Sequence, residues 1–243
     1  LSLHDALPIS QPVDVIVTLP ISEYLDANNQ KNKQNIERKK KNVMREVRVQ
    51  GSDAFVIRSV SVLPESIPAG FSVLAGLEDD ESLLIVDLGG TTLDVSHVRS
   101  KMTGITKTWC DPNIGVSLIT SGVKEQMAVH ANTRVSSFQA DNIIVHRNEP
   151  DYLSRRIYNA EQRESIINVI NERQKLLIKR VNDVISRFTD YTHVMCVGGG
   201  AEIVAEAVKN LTKVPDERFY LSSSPQFDLV MGMIKMKGGV TNE

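Results

Sequence analysis

Two strand-like runs meet at a pair of glycines in the middle of this chain, and that junction constrains the fold more than any other stretch. Leu83-Leu84-Ile85-Val86-Asp87 is apolar up to its terminal carboxylate, Leu88-Gly89-Gly90-Thr91-Thr92 reads as a turn, and Leu93-Asp94-Val95-Ser96-His97-Val98 alternates. A continuous apolar run suits a strand buried on both faces and an alternating run suits its neighbour, so the segment is expected to be a hairpin with a glycine-rich tip. A third strand over 104–109 completes a meander.

Upstream, the β-branched run 13–19 reads as a buried strand ended by Pro20, and 55–63 as a second strand stopped by Pro64. Between them, 32–47 reads as a charged helix with one thin apolar stripe, and 68–77 as another helix. The cluster Arg38-Lys39-Lys40-Lys41 is flanked by Glu37 and Glu46 with no aromatic residue interleaved, which favours a solvated face over a phosphate grip. The acidic turn at 78–81 is where a domain boundary is expected.

Downstream, 115–129 reads as a helix and 130–150 as polar and irregular. Apolar residues at helical spacing make 160–188 one long amphipathic helix. A buried strand over 193–197 then runs into Gly198-Gly199-Gly200, followed by a helix over 201–211, a short strand over 218–221 and a last helix over 226–236.

Three segments carry chemistry. At Asp87-Leu88-Gly89-Gly90-Thr91-Thr92 the glycines let a phosphate approach the backbone, the amides and threonine hydroxyls supply donors, and Asp87 can hold a hydrated magnesium ion. The pattern lacks the spacing of Gly-x-x-x-x-Gly-Lys-[Ser/Thr], and an ordinary Gly-Gly turn also accounts for the two glycines. At Val197 to Glu202, three glycines and a helix start can seat a ribose or adenine, and equally make a tight strand-to-helix turn. At Pro64-Glu65-Ser66-Ile67-Pro68, a carboxylate at a strand end between two prolines can position an attacking water; a helix cap explains Ser66 but not the acid. His97, His130, His146 and His193 share no metal-ligand spacing, and Cys196 inside a buried run reads as core.

Composition sets outer limits. The 243 residues are 41% hydrophobic and 24% charged, which excludes a disordered, collagen-like or coiled-coil chain. A net charge of −2 gives no overall field for nucleic acid or an anionic membrane. Two distant cysteines, no membrane-length apolar run and no secretory signal lead to the expectation of a cytoplasmic protein. Residues 1–9 read as a non-native lead-in and are set aside from fold reasoning.

Taken in order, these segments resemble the actin-like ATPase superfamily, and more closely its ParM (StbA) plasmid-segregation family. The likeness is carried by 18–24, 35–40, 64–70, 83–94, 115–118, 191–195 with 198–202, and 216–219, and it runs from about 10 to 236. It implies an α/β, actin-like (ribonuclease H-like) fold: domain I over 10–80, domain II over 81–220, and a C-terminal helix over 221–243 returning to domain I. It implies ATP or GTP with Mg2+ in the cleft between them. Asp87 would act on the magnesium ion through its water, and Glu65 on the hydrolytic water. Gly89, Gly90, Thr91 and Thr92 would bind phosphate, and Gly198, Gly199, Gly200 and Glu202 would form the adenosine wall above a floor at Gly115. The implied activity is nucleotide-dependent filament formation for plasmid partition, with hydrolysis destabilising the filament. The implied partners are other copies of the chain and a ParR-type DNA-binding adaptor, with no direct nucleic-acid or membrane contact.

The family also carries an Asp-x-Gly first phosphate loop that has no counterpart before Val13, so this chain is expected to be a fragment with impaired hydrolysis. Two other readings stay open at this point, a sugar or acetate kinase of the same superfamily and a non-catalytic nucleotide-binding scaffold.

Overall fold

The computed structural model describes residues 12–28, 30–45, 47–49, 52–130 and 133–238; the lead-in expected at 1–9 lies outside them. Strands β1 (Val13–Leu19) and β4 (Ile57–Pro64) pair in parallel, ending with Leu19 opposite Pro64. Parallel neighbours require a crossover, supplied by helices α1 (Ile21–Tyr24) and α2 (Lys33–Val43) and an antiparallel ribbon of β2 (Val47–Val49) and β3 (Ser52–Phe55). The helix expected over 32–47 therefore stops at Val43. Valines at 47 and 49 switch the apolar period to two, and the chain turns into strand. Phe55 belongs to β3, so β4 starts two residues later than the sequence suggests.

After β4 a 3-10 turn (Ile67–Gly70) leads into α3 (Phe71–Gly76). The expected meander follows as β5 (Ser82–Leu88), β6 (Leu93–Arg99) and β7 (Ile105–Asp111). Then come α4 (Ser117–His130), α5 (Ser137–Val145), α6 (Pro150–Arg156), α7 (Ala160–Ile185), β8 (His193–Val197), α8 (Ala201–Thr212), β9 (Phe219–Tyr220) and α9 (Asp228–Met236). Five strands form one sheet in the order β7-β6-β5-β8-β9, antiparallel through β5 and parallel beyond it.

β5 is central and covered on both faces, as its unbroken apolar run requires. Leu84, Val86 and Leu88 point into a core shared with α4, α7 and α8, while Leu83 and Ile85 point into a second core with Leu19, Val62, Ile67 and Leu74. All five β5 side chains are fully buried, so truncating any one to alanine would cost about 2–5 kcal/mol. On α7, Ile166, Ile170, Leu177, Val181 and Ile185 form the buried stripe, and Asn159 caps the helix by accepting from the Gln162 amide at 3.1 Å.

The expectation that 130–150 is irregular is corrected by α5 and by the start of α6. Ser136 and Gln139 form a reciprocal capping box that starts α5, and Pro150 occupies the first turn of α6, where its missing N–H costs nothing. At the C-terminal end α9 crosses the 67–70 turn so closely that a β-carbon on Gly232 would lie 1.8 Å from the Pro68 carbonyl oxygen.

Candidate functional site

The hairpin tip is held from below by the start of α4. Within the tip the Gly89 amide donates to the Thr92 carbonyl at 2.9 Å; the Gly89 and Gly90 carbonyls accept from the Val116 and Ser117 amides at 3.1 and 2.7 Å. Gly115 makes this possible, because a β-carbon there would fall 2.5 Å from the Gly90 carbonyl oxygen and the Thr91 Cα. The tip's carbonyls are thus occupied by α4. Among the described residues the amides of Gly90 and Thr91 make no backbone hydrogen bond, and the space beside Gly90 is open.

The second glycine segment interlocks with the first. Gly198 has φ +88°, its amide donates to the Pro225 carbonyl at 3.0 Å, and a β-carbon on it would lie 2.4 Å from Asp87 Oδ1. The Gly200 amide donates to the Leu88 carbonyl at 2.8 Å, and a β-carbon there would strike the Leu88 and Val116 side chains at 2.7 Å. Gly198 and Gly200 thus serve the close approach of β8 to β5. Gly199, with open space around it, and Glu202 face a cavity.

Carboxylates gather at the strand ends. Asp87 stands opposite Asp94 across β5 and β6. Burial first, then the nearby charges of Asp94 and Glu65, push Asp87 up to about 7. Asp94 is 4% exposed, and its Oδ1 has no hydrogen-bond partner. Burial raises its pKa, and a hydrogen bond from the Cys110 thiol works against that rise. Glu65 is raised by burial and by Asp94, with Lys39 and a hydrogen bond from Thr18 opposing.

Glu65 is aimed by an unusual turn. Its amide donates to the Leu19 carbonyl at 2.8 Å, and its carbonyl accepts from the Ile67 amide at 2.7 Å across Ser66, which has φ 62° and ψ −48°. This is the rarer, positive-φ form of the γ-turn, on a fully buried serine whose hydroxyl has no partner.

A cavity of about 820 Å³ opens beside the tip, and its lining includes Gly90, Thr91, Gly199, Asp141, Arg147 and Gln174. Thr120, beneath it, donates from Oγ1 to Asp141 Oδ1 at 2.6 Å and ties α4 to α5. Of the expected site residues, Gly90, Thr91, Gly199 and Glu202 line this cavity; Glu65, Asp87, Gly89, Thr92, Gly198 and Gly200 are not in its lining and lie in strand ends and turns. Thr120, Asp141, Arg147 and Gln174 escape the sequence reading, because only the packing of α4, α5 and α7 brings them together.

Among the described histidine side chains there is no common site: His97 bonds Ser82, His146 pairs with Glu149, and His193 bonds Thr192. Among the described residues no three His, Cys, Asp or Glu side chains are grouped to hold a metal ion directly, and no helix is long and apolar enough to cross a membrane. Cys196, at 0% exposure, is core, and burial pushes its thiol up to about 12. On α2, Arg38 reaches Glu23 and Lys40 pairs with Glu37, so part of the basic cluster is neutralised locally.

The fold has solved relatives. An archaeal actin homologue, Ta0583, is 16% identical with a TM-score of 0.58, over 78% of this chain and 59% of its own length. The subunit of a 15-stranded ParM filament from Clostridium botulinum is 13% identical with a TM-score of 0.66, over 92% of this chain and 66% of its own. MreB 5 of Spiroplasma citri, solved bound to AMPPNP, is 14% identical with a TM-score of 0.58, over 98% of this chain and 72% of its own. The chain thus spans less than two thirds of the length of the first two. At these identities the likeness establishes the fold, which is actin-like. No curated protein gives a significant sequence match. The family described as "Plasmid segregation protein ParM, N-terminal" matches residues 2–76, and that described as "Plasmid segregation protein ParM, C-terminal" matches 77–236. These adjoining matches select the plasmid-segregation branch of the actin-like fold over the sugar-kinase branch: the chain belongs to the ParM plasmid segregation protein family.

Proposed function

We propose that the chain is a subunit of a nucleotide-dependent, actin-like filament that moves plasmid copies apart, with ATP or GTP favouring assembly and hydrolysis destabilising the polymer. The observation that carries this reading is the interlocked pair of glycine turns, 89–92 and 198–200, which give Gly90, Thr91 and Gly199 to the lining of the 820 Å³ cavity. The cavity is large enough for a nucleotide, and the AMPPNP bound by the Spiroplasma relative gives the ligand class.

The residues present fit a magnesium-nucleotide. Open space beside Gly90 and unengaged amides at Gly90 and Thr91 suit a phosphate group. Asp87, Asp94 and Glu65 form a carboxylate group whose mutual repulsion a divalent cation would relieve. With no three ligands grouped for direct coordination among the described residues, Asp87 would hold the ion through its water shell. When bound, magnesium supplies charge neutralisation on the phosphate oxygens. Glu65, held by the turn at Ser66, orients the attacking water and accepts its proton on the carboxylate. Gly199 and Glu202 form the nucleoside-side wall, where a carboxylate can accept from ribose hydroxyls.

We divide the chain at 78–81, with α9 packing back onto the 67–76 segment, and the residues that line the cavity all lie beyond that division. A net charge of −2 suits contact with plasmid DNA through a ParR-type adaptor instead of direct binding, and cytoplasmic residence follows from that role. Light scattering of the purified protein tests the reading. Scattering that rises with Mg-ATP or Mg-GTP, and decays as triphosphate is consumed, is the expected result. Scattering independent of nucleotide, or absent with both, would overturn it.

A further inference from the structure

We propose that the recess lined by α5, α6 and the end of α4 is a second ligand site, one that takes a small apolar carboxylate with its charged end on Arg156. It lies across α5 from the cavity already described and does not depend on the nucleotide reading of that cavity. The helical period separates the two. Ser137, Asp141, Ile144 and Val145 share one side of α5 and line the first cavity. Phe138, Gln139, Asn142 and Ile143 lie on the other side of the same helix and line the recess. The recess measures about 500 Å³, within the usual range for a small-molecule site, and Met127 and Ile143 in its lining are each only 3% exposed. A space with buried walls suits a compact molecule better than it suits a flat partner surface.

Met127, Val135, Phe138, Ile143 and Tyr152 make the apolar lining, two aromatic rings and an adaptable thioether among them, which suits an aromatic or aliphatic body. The polar lining is weighted towards donors. Gln139 engages its side-chain oxygen with the Ser136 amide at 2.9 Å and keeps its N–H groups. Asn142 is the exception, since it donates to the Phe138 carbonyl at 2.9 Å and keeps an acceptor. Arg156 supplies the charge. Its guanidinium carbon stands 5.5 Å from the centre of the Tyr152 ring, and the His146 ring stacks on Tyr152 at 4.3 Å, so the aromatic platform beside the guanidinium is held in place. Glu149 pairs with His146 at 2.8 Å; among the described residues no carboxylate pairs with Arg156, and none lines the recess. A guanidinium fork without a carboxylate, in the lining of an apolar recess, is complementary to a ligand that brings one carboxylate on an apolar body.

Three probes that share one apolar body test this: 4-phenylbutyrate, 4-phenylbutanol and 4-phenylbutylamine, each titrated into the purified full chain without nucleotide and followed by proton–nitrogen correlation spectra. The expected result is amide shifts at Met127, at Phe138 to Ile143 and at Tyr152, with the acid binding at least about five-fold tighter than the alcohol and the amine weakest. Arg156→Gln, whose fold the same spectra check, is expected to bring acid and alcohol within about two-fold of each other. The acid-to-alcohol comparison needs no substitution and decides the matter even if that variant fails to fold. An acid that binds no tighter than the alcohol, shifts confined to other parts of the molecule, or an unchanged ratio in Arg156→Gln would overturn the assignment. So would the absence of shifts with all three probes at millimolar concentration. Each of these outcomes bears on the recess alone and leaves the nucleotide reading where it stands.

Discussion

Gly198 and Asp87 approach so closely that any side chain at 198 would collide with the carboxylate: a β-carbon would stand 2.4 Å from Asp87 Oδ1 and 2.5 Å from the Leu88 carbonyl oxygen. The phosphate hairpin and the glycine turn after β8 are therefore built as one object, and each sets the position of the other.

Gly198→Ala is expected to lose about 2 kcal/mol or more, since it combines a φ of +88° with a backbone clash. Gly199→Ala, next door in open space, is expected to stay within about 0.5 kcal/mol of the parent. Urea denaturation of the two variants side by side checks the contrast; equal losses would mean that Gly198 is not a packing glycine.

Gly232→Ala is expected to prise α9 from the 67–70 turn, because the new β-carbon would overlap the Pro68 carbonyl. Hydrogen exchange should then accelerate in α3 and α9 while the five-stranded sheet keeps its protection. Unchanged exchange in α3 would contradict the crossing.

Asp87 makes stability fall as pH rises. Its pKa is about 7 in the fold against 3.8 as a free side chain. Below pH 4 both folded and unfolded states hold the proton, and no stability is lost. Between pH 4 and 7 the unfolded chain releases the proton while the folded one keeps it, so the penalty accumulates and then levels off above 7. Without divalent ion, Asp87→Asn should be more stable than the parent by on the order of 3 kcal/mol at pH 8 and nearly equal to it at pH 4. Chemical denaturation across that range reads both ends, and a gap that does not widen with pH would refute the assignment.

Ser66 holds a conformation that glycine adopts freely. Ser66→Gly is expected to fold with stability within about 1 kcal/mol of the parent, whereas Ser66→Val, β-branched at φ 62°, should lose about 2 kcal/mol or more. Thermal melts of the pair decide it, and a tolerated valine would remove the strained turn from the account.

Much of the fold is legible in the residues because local pattern and burial agree there. The run Leu83 to Asp87 shows its two-faced burial, the glycines announce both turns, and the 160–188 periodicity gives α7 to within a few residues. One helix, α5, is lost in 130–150, where short polar segments have weak periodicity, and α6 starts at the end of that range; the Ser136–Gln139 capping box is the signal that reveals α5. The site is legible only in part. Gly90, Thr91, Gly199 and Glu202 belong to contiguous motifs, so spacing finds them. Thr120, Asp141 and Gln174 come from three helices, and no spacing in the chain announces a contact made by packing alone. The buried Asp94, whose Oδ1 has no partner, is equally hidden, since an alternating strand gives no hint that its polar residue is buried.

The most direct test of the central claim is a crystal structure of this protein with magnesium and AMPPNP. The account predicts phosphate density on the amides of Gly90 and Thr91, an ion within water reach of Asp87, and the nucleoside against Gly199 and Glu202. Nucleotide bound elsewhere, or bound with its base at the 89–92 tip and its phosphates away from Gly90 and Thr91, would contradict it.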